Sequence, residues 1–207
     1  MKYIVGTGGF AREVFFLIEE MGLKHEFGGY LEPAHLWKDE FKNRTIYGFP
    51  ILHQEDFNSE KDEAIIGISD PLLRQKITNQ LPANTHYPNL IHPKASVSVY
   101  TKIGAGAIIT AGVIVTVDIE IGKQCQLNLL TTVGHDCVIG DFFTTAPSAN
   151  ISGICNFGDF VYFGTNSAVR QGISICSNVT IGMGSNVVKS IVEPGVYIGS
   201  PAQRLIK

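Results

Sequence analysis

From Ile91 onward the chain counts in sixes. Ile91, Val97, Ile103, Ile109, Val115, Ile121, Leu127, Val133, Ile139, Ile151, Phe157, Phe163, Val169, Ile175, Ile181 and Val187 share one register of six, which only Thr145 interrupts with a polar side chain. Ordinary strands and helices lose register within one element, so a run this long excludes both as the organising unit. Glycine follows the repeated position at 104, 122, 134, 140, 158, 164 and 182. The slot four residues after it is mostly small or apolar: Ala95, Ala107, Val113, Cys125, Cys137, Ala149, Cys155 and Ser167. A hexad of this form is one short strand and one corner, and three of them close a triangular coil. Coils stack at about 4.8 Å, so the run predicts just under six coils and a prism about 27 Å tall. The expected architecture is a left-handed parallel β-helix with the aliphatics pointing inward.

Charge separates this region from the rest. Residues 1–90 carry 9 basic and 13 acidic side chains, whereas the longer stretch 91–207 carries only 7 and 6. The net charge is −3 and no segment gathers a run of Lys or Arg, which argues against a nucleic-acid partner. No apolar run approaches the roughly 18 residues of a membrane span. The opening Met1-Lys2-Tyr3-Ile4-Val5-Gly6 offers no signal-peptide core, so a cytoplasmic location is expected. The 4 cysteines form no CxxC pair, and Cys125, Cys137 and Cys155 occupy the small inward slot. Cys137 and Cys155 are expected to be buried, reduced neighbours on successive coils. Cys176 is assigned no chemistry.

The first 88 residues predict a small α/β domain, short and Rossmann-like. Lys2–Val5 is a β-branched and aromatic run ending in Gly6-Thr7-Gly8-Gly9-Phe10-Ala11, after which Val14, Leu17, Ile18 and Met21 recur at helical spacing. This is strand, glycine turn and helix, the G-x-G-x-x-G/A arrangement in which bare backbone lets a diphosphate reach the N–H groups of a helix N-terminus. An acidic residue is expected about 20 positions on, at the end of the next strand, and Phe27–Glu32 supplies Glu32. A further strand is expected over 64–68. Asp70 and Pro71 then cap and start a helix carrying Leu72, Leu73, Ile77 and Leu81, and a last strand falls near 86–91.

Of 6 histidines, only His135 lies well inside the hexad region. It occupies the third place of its hexad, neither the aliphatic nor the small slot, so its imidazole points outward. Asp136 follows it and suits the carboxylate that holds the tautomer and raises the basicity of a general base. One coil further on is Gly153, a glycine that leaves room for an acyl group and a backbone N–H for a developing oxyanion. A base with such a donor one strand away suits acyl transfer to an amine or a hydroxyl. A zinc site needs two or three clustered histidines, and the prism offers only His135 and the distant His92, so no metal is expected.

These residues resemble the sugar-nucleotide acetyltransferases of bacterial glycan assembly, the group that includes sialic-acid O-acetyltransferases and the bacillosamine-pathway N-acetyltransferase, within the hexapeptide-repeat superfamily. The likeness rests on Gly6–Val14, Gly29-Tyr30-Leu31-Glu32, Ile66–Asp70 with Arg74, Asn89–Pro93, Gly134–Phe142 and the tail Gly199–Arg204. It implies domains at 1–88, for the sugar nucleotide, and 89–193, the catalytic β-helix, with a tail over 194–207 along the cofactor groove. It implies a homotrimer, acetyl-coenzyme A between two prisms, and active sites between subunits. His135 would be the general base and Asp136 its partner. Gly8, Gly9, Phe10, Glu32 and Gly67 would touch the nucleotide sugar, and Thr144, Thr165, Met183 and Pro201 the cofactor. Phe10 stands where many relatives carry histidine, Pro33 follows Glu32 where an aspartate pair is common, and Thr144 replaces a frequent histidine. The implied activity is N-acetylation of a nucleotide-linked 4-amino-4,6-dideoxy sugar. O-acetylation of sialic acid or another glycan hydroxyl, and a non-catalytic β-helix scaffold, are the alternatives.

Overall fold

A computed structural model describes residues 1–206. It divides into two compact units, Met1–Leu90 and Ile91–Lys207.

The first unit is a five-stranded sheet in the order β3-β4-β2-β1-β5, built from β1 (Lys2–Val5), β2 (Phe27–Glu32), β3 (Thr45–Ile46), β4 (Phe49–His53) and β5 (Glu63–Ile66). All neighbours pair parallel except β3 with β4. Helix α1 (Gly9–Glu20) follows the glycine turn and buries Ala11, Val14, Phe15, Leu17 and Ile18. Phe15, which the helical spacing did not single out, joins Phe27, Tyr30 and Phe49 in an aromatic cluster with ring centroids about 5 to 6 Å apart. Met21 is the C-cap and only half-buried. Helix α2 (Pro71–Thr78) starts as expected, with Asp70 Oδ1 accepting from the Leu73 N–H at 2.7 Å and proline in the first turn. It buries Pro71, Arg74 and Ile77, while Leu72 faces out.

Two strand expectations are corrected. The run 64–68 ends as a strand at Ile66, and the chain runs on without regular structure over 67–70, the Gly67 N–H still donating to the Val5 carbonyl at 2.9 Å. The strand near 86–91 does not join this sheet: His86 makes only an isolated bridge to Glu63, and Leu90–Ile91 pairs as the first strand of the prism.

The second unit is the left-handed parallel β-helix. Its strands, mostly two residues long, stack into walls of six, five and eight strands, and up to Val187 they pair parallel at a spacing of 18 residues, as Thr132–Val133 does with Asn150–Ile151. The hexad aliphatics from Ile109 to Val187 form one continuous core. Thr145, the odd one out, is buried, and its Oγ1 lies 2.7 Å from Thr131 Oγ1 and accepts from the Asn128 N–H at 3.0 Å. A second polar residue therefore makes the first one tolerable. The small slot is not small everywhere: Phe143 fills it and packs on Phe157 and Phe163.

Every sixth residue from Gly106 to Gly184 has a left-handed backbone, including Asp118, Gln124, Leu130, Asp136, Phe142, Ser148, Ile154, Phe160, Asn166 and Asn178. These residues turn the corners. The stretch after 193 is not a separate arm: Gly195–Ile198 pairs parallel with Val179–Ile181, and Gln203–Arg204 folds back antiparallel onto it. The tail extends one wall of the prism.

Candidate active site

In the first unit, chain order reverses at β1, with β2 on one side and β5 on the other. Open α/β sheets bind ligands outside the carboxyl ends of the strands at such a point. Gly6 leaves β1 with φ +106 and donates to the Leu31 carbonyl at 2.8 Å, which carries the turn across the end of β2. There Thr7 Oγ1 donates to Glu32 Oε2 at 2.6 Å. Glu32 is buried, and its second carboxylate oxygen has no partner among the described residues. Helix α1 begins at Gly9 with neither a side-chain cap nor an acidic residue in its first turn, and side chains at Gly8 or Gly9 would meet nothing within 4 Å. Open N–H groups, uncapped and unopposed by negative charge, suit a phosphate. Phe10 is half-buried on the same turn. Gly67 has a different reason to be glycine: a Cβ there would stand 2.7 Å from Ile4 and 2.9 Å from Ala11, so its bareness admits α1 onto the sheet.

In the prism, His135 follows the strand Thr132–Val133 and points outward, its side chain half exposed. Its Nδ1 lies 2.7 Å from Asp136 Oδ2. A carboxylate only accepts, so Nδ1 is the donor, and in the neutral imidazole this leaves the lone pair on Nε2. The left-handed corner at Asp136, φ +56, brings the two adjacent side chains together. Gly153 lies directly against the imidazole, and a Cβ on it would be 2.8 Å from His135 Nε2. The space expected over Gly153 for an acyl group is therefore occupied by the imidazole itself, and the missing side chain is what admits the ring. The Gly153 N–H has no hydrogen-bond partner among the described residues.

The residues expected to line a cofactor separate. Thr165 and Met183 stack on successive coils, Gly184 donating to the Thr165 carbonyl at 2.8 Å, and Met183 is 79% exposed. Pro201, also exposed, lies one coil on, where Asn186 donates to the Gly199 carbonyl and Ala202 to that of Asn186. Thr144 does not belong with them. It is 3% exposed, with its hydroxyl 3.5 Å from the Phe142 carbonyl, so its side chain is not open to a ligand.

Thr165 follows a strand of the eight-stranded wall and precedes one of the six-stranded wall, whereas His135 lies between the six- and five-stranded walls. The imidazole and the Thr165–Met183 column stand on different edges of one prism, so a single prism does not bring them into one site. Among the described residues, no group of three or more His, Cys, Asp or Glu is placed to hold a metal, and no helix is long and apolar enough to cross a membrane.

Comparison with known proteins bears on both units. Residues 3–81 match the PglD N-terminal domain family. GDP-perosamine N-acetyltransferase of Escherichia coli O157:H7 is 29% identical over 175 residues, covering 82% of this chain and 78% of that protein. The acetyltransferase domain of PglB from Neisseria gonorrhoeae FA1090 superposes with a TM-score of 0.87 at 27% identity, over 99% of this chain and 98% of its own, and has also been solved in complex with acetyl coenzyme A. WeeI from Acinetobacter baumannii AYE gives a TM-score of 0.89 at 26% identity, over 99% of both chains.

Proposed function

We propose that this chain, given its likeness to the PglD N-terminal domain family and to the acetyltransferases above, acetylates the amine of a nucleotide-linked amino sugar of the 4-amino-4,6-dideoxy type, with acetyl-coenzyme A as donor. The observation that carries this reading is the His135 imidazole, oriented by Asp136 at 2.7 Å and laid against Gly153, whose N–H is free.

Acetyl-coenzyme A supplies the thioester. His135 Nε2 accepts a proton from the attacking amine as the new N–C bond forms. The carbonyl electron pair moves onto oxygen, where the Gly153 N–H faces it. When that pair returns, the C–S bond breaks, and the proton held by His135 goes to the departing thiolate. General-base help of this kind contributes about 10²- to 10⁴-fold, and one oxyanion donor about 10²- to 10³-fold.

Residues 1–88 are assigned the sugar nucleotide. The α1 N-terminus at Gly8, Gly9 and Phe10 suits the diphosphate, and the free oxygen of Glu32 suits a sugar hydroxyl. Residues 89–193 carry the chemistry and 194–207 border the cofactor. Thr165, Met183 and Pro201 stand on a different edge from His135, which favours a homotrimer in which one copy presents its His135 edge to the cofactor column of the next.

The test is incubation of the full chain with acetyl-coenzyme A and UDP-, dTDP- and GDP-linked 4-amino-4,6-dideoxy sugars, read by product mass. One nucleotide sugar should gain a single acetyl group. No gain with any of them, together with no thermal stabilisation by acetyl-coenzyme A, overturns the reading.

A further inference from the structure

Cys137 occupies the inward slot of the hexad that begins at Val133 and is fully buried in the prism core. Its Sγ lies 3.3 Å from the Ser152 carbonyl oxygen and 3.7 Å from that of His135. The two carbonyls differ. The His135 oxygen already accepts from the Ile154 N–H at 2.8 Å, whereas no backbone donor reaches the Ser152 oxygen, so Cys137 is its partner.

The Ser152 carbonyl and the Gly153 N–H are the two ends of one peptide unit. That unit is planar and trans, so fixing the carbonyl fixes the N–H in the opposite direction. The carbonyl points to a sulfur inside the prism. The N–H therefore points outward, on the side where the His135 ring lies against Gly153. A donor on the carbonyl also polarises the unit and strengthens the N–H as a donor. A thiol donates only while protonated. The Cys155 side chain against it and burial both push the Cys137 thiol above its ordinary range, which keeps the proton on.

We propose that Cys137 is a positioning residue for acetyl transfer: from inside the wall it holds the Ser152–Gly153 peptide so that the Gly153 N–H faces the reacting carbonyl. This rests on the function proposed above. Cys155 is the internal control. It fills the same slot one coil on, equally buried, but its Sγ reaches the Gly153 and Arg170 carbonyls at 3.6 and 3.4 Å, which belong to other peptide units.

The prism indicates which substitutions it will accept, since the same slot holds alanine at 107 and 149 and valine at 113, 161 and 179. Cys137→Ala, Cys137→Val, Cys137→Ser and Cys155→Ala are compared in the full chain by kcat, KM and thermal midpoint, beside His135→Ala. Removing the donor, by Ala or Val at 137, should lower kcat about tenfold and leave KM for both substrates within about twofold. Cys137→Ser, which keeps a donor, should restore most of kcat whatever its midpoint. Cys155→Ala should shift the midpoint like Cys137→Ala yet keep kcat within about twofold. The inference is overturned if Cys137→Val keeps full kcat, if serine does no better than valine, or if Cys155→Ala loses as much as Cys137→Ala. Those outcomes with an inactive His135→Ala sink only the positioning role, whereas an active His135→Ala sinks the mechanism beneath it.

Discussion

His135 Nδ1 lies 2.7 Å from Asp136 Oδ2, and the left-handed backbone of Asp136 makes that contact between adjacent residues possible. In an extended strand, neighbouring side chains project to opposite faces. Here the corner turns the carboxylate back onto the imidazole. Replacing His135 by Ala or Asn should cut kcat by two orders of magnitude or more while leaving the protein's mass in solution unchanged, because the side chain is half exposed and supports no core. Asp136→Asn keeps a short side chain that tolerates the corner but frees the tautomer, and should cost about tenfold or more in kcat. Steady-state kinetics with light scattering checks both.

Gly153→Ala separates catalysis from folding. The added methyl would meet Nε2, Cε1 and Cδ2 of His135 at 2.8, 2.9 and 3.1 Å, and the far end of an exposed side chain can swing away. The prism should keep its thermal midpoint within a few degrees. The imidazole should leave its place and kcat should fall about a hundredfold. A variant that keeps its activity would show that the ring need not lie on the wall.

Gly9→Ala tests the first unit in the opposite sense. A methyl there meets nothing within 4 Å and the position begins a helix, so alanine should hold or raise stability by up to about 1 kcal/mol. If the open turn receives a diphosphate, the same methyl should raise KM for the nucleotide sugar about tenfold without altering KM for acetyl-coenzyme A. An unchanged KM would leave the glycine with no binding role.

Much of this was readable from residues because the hexad register is enforced by a single physical requirement, an aliphatic inside every strand. Its spacing of 18 also placed Gly153 against His135 correctly. The corners were not readable. Left-handed backbone recurs at Leu130, Phe142, Ile154 and Phe160, residue types that carry no turn signal, because coil closure imposes the conformation over local preference. Spacing gives the adjacency of Gly153 and His135 but not which atoms fill the gap, which the imidazole itself occupies. Residues 33–62 gave no periodic signal, yet they supply β3 and β4, whose brevity and 3₁₀ turns leave no repeat to detect. Resemblance alone points to Thr144, and its burial is a property of the fold that no local pattern records.

Glu63 gives the first unit a dependence on pH. Burial works to raise its carboxyl, but Lys2 at 2.9 Å and His86 at 2.7 Å outweigh it and hold the group below the ordinary carboxylate range. A depressed acid stabilises the fold above its unfolded value, and the contribution fades as pH falls through the folded value. Glu63→Gln should therefore be less stable by about 0.5 kcal/mol near neutrality, and the difference should vanish in acid below the carboxylate range. Urea unfolding of both proteins at several pH values measures this. A gap that persisted at the lowest pH would exclude ionisation as its source.

Ile154 carries the clearest backbone strain in the prism, at the corner one coil above Asp136. It is β-branched, held at φ +60 and 46% exposed. Left-handed backbone costs such a residue about 1 kcal/mol or more, since the branched Cβ crowds the following carbonyl. Its N–H donates to the His135 carbonyl at 2.8 Å, so the corner conformation is fixed by the same backbone that carries the base. Asparagine already occupies equivalent corners at 166 and 178. Ile154→Asn should remove the steric cost, forfeit only a partly buried side chain, and raise stability by about 0.5 to 1 kcal/mol, seen as a higher thermal midpoint. A lower midpoint would mean that the exposed isoleucine buries more against its surroundings than the strain it imposes.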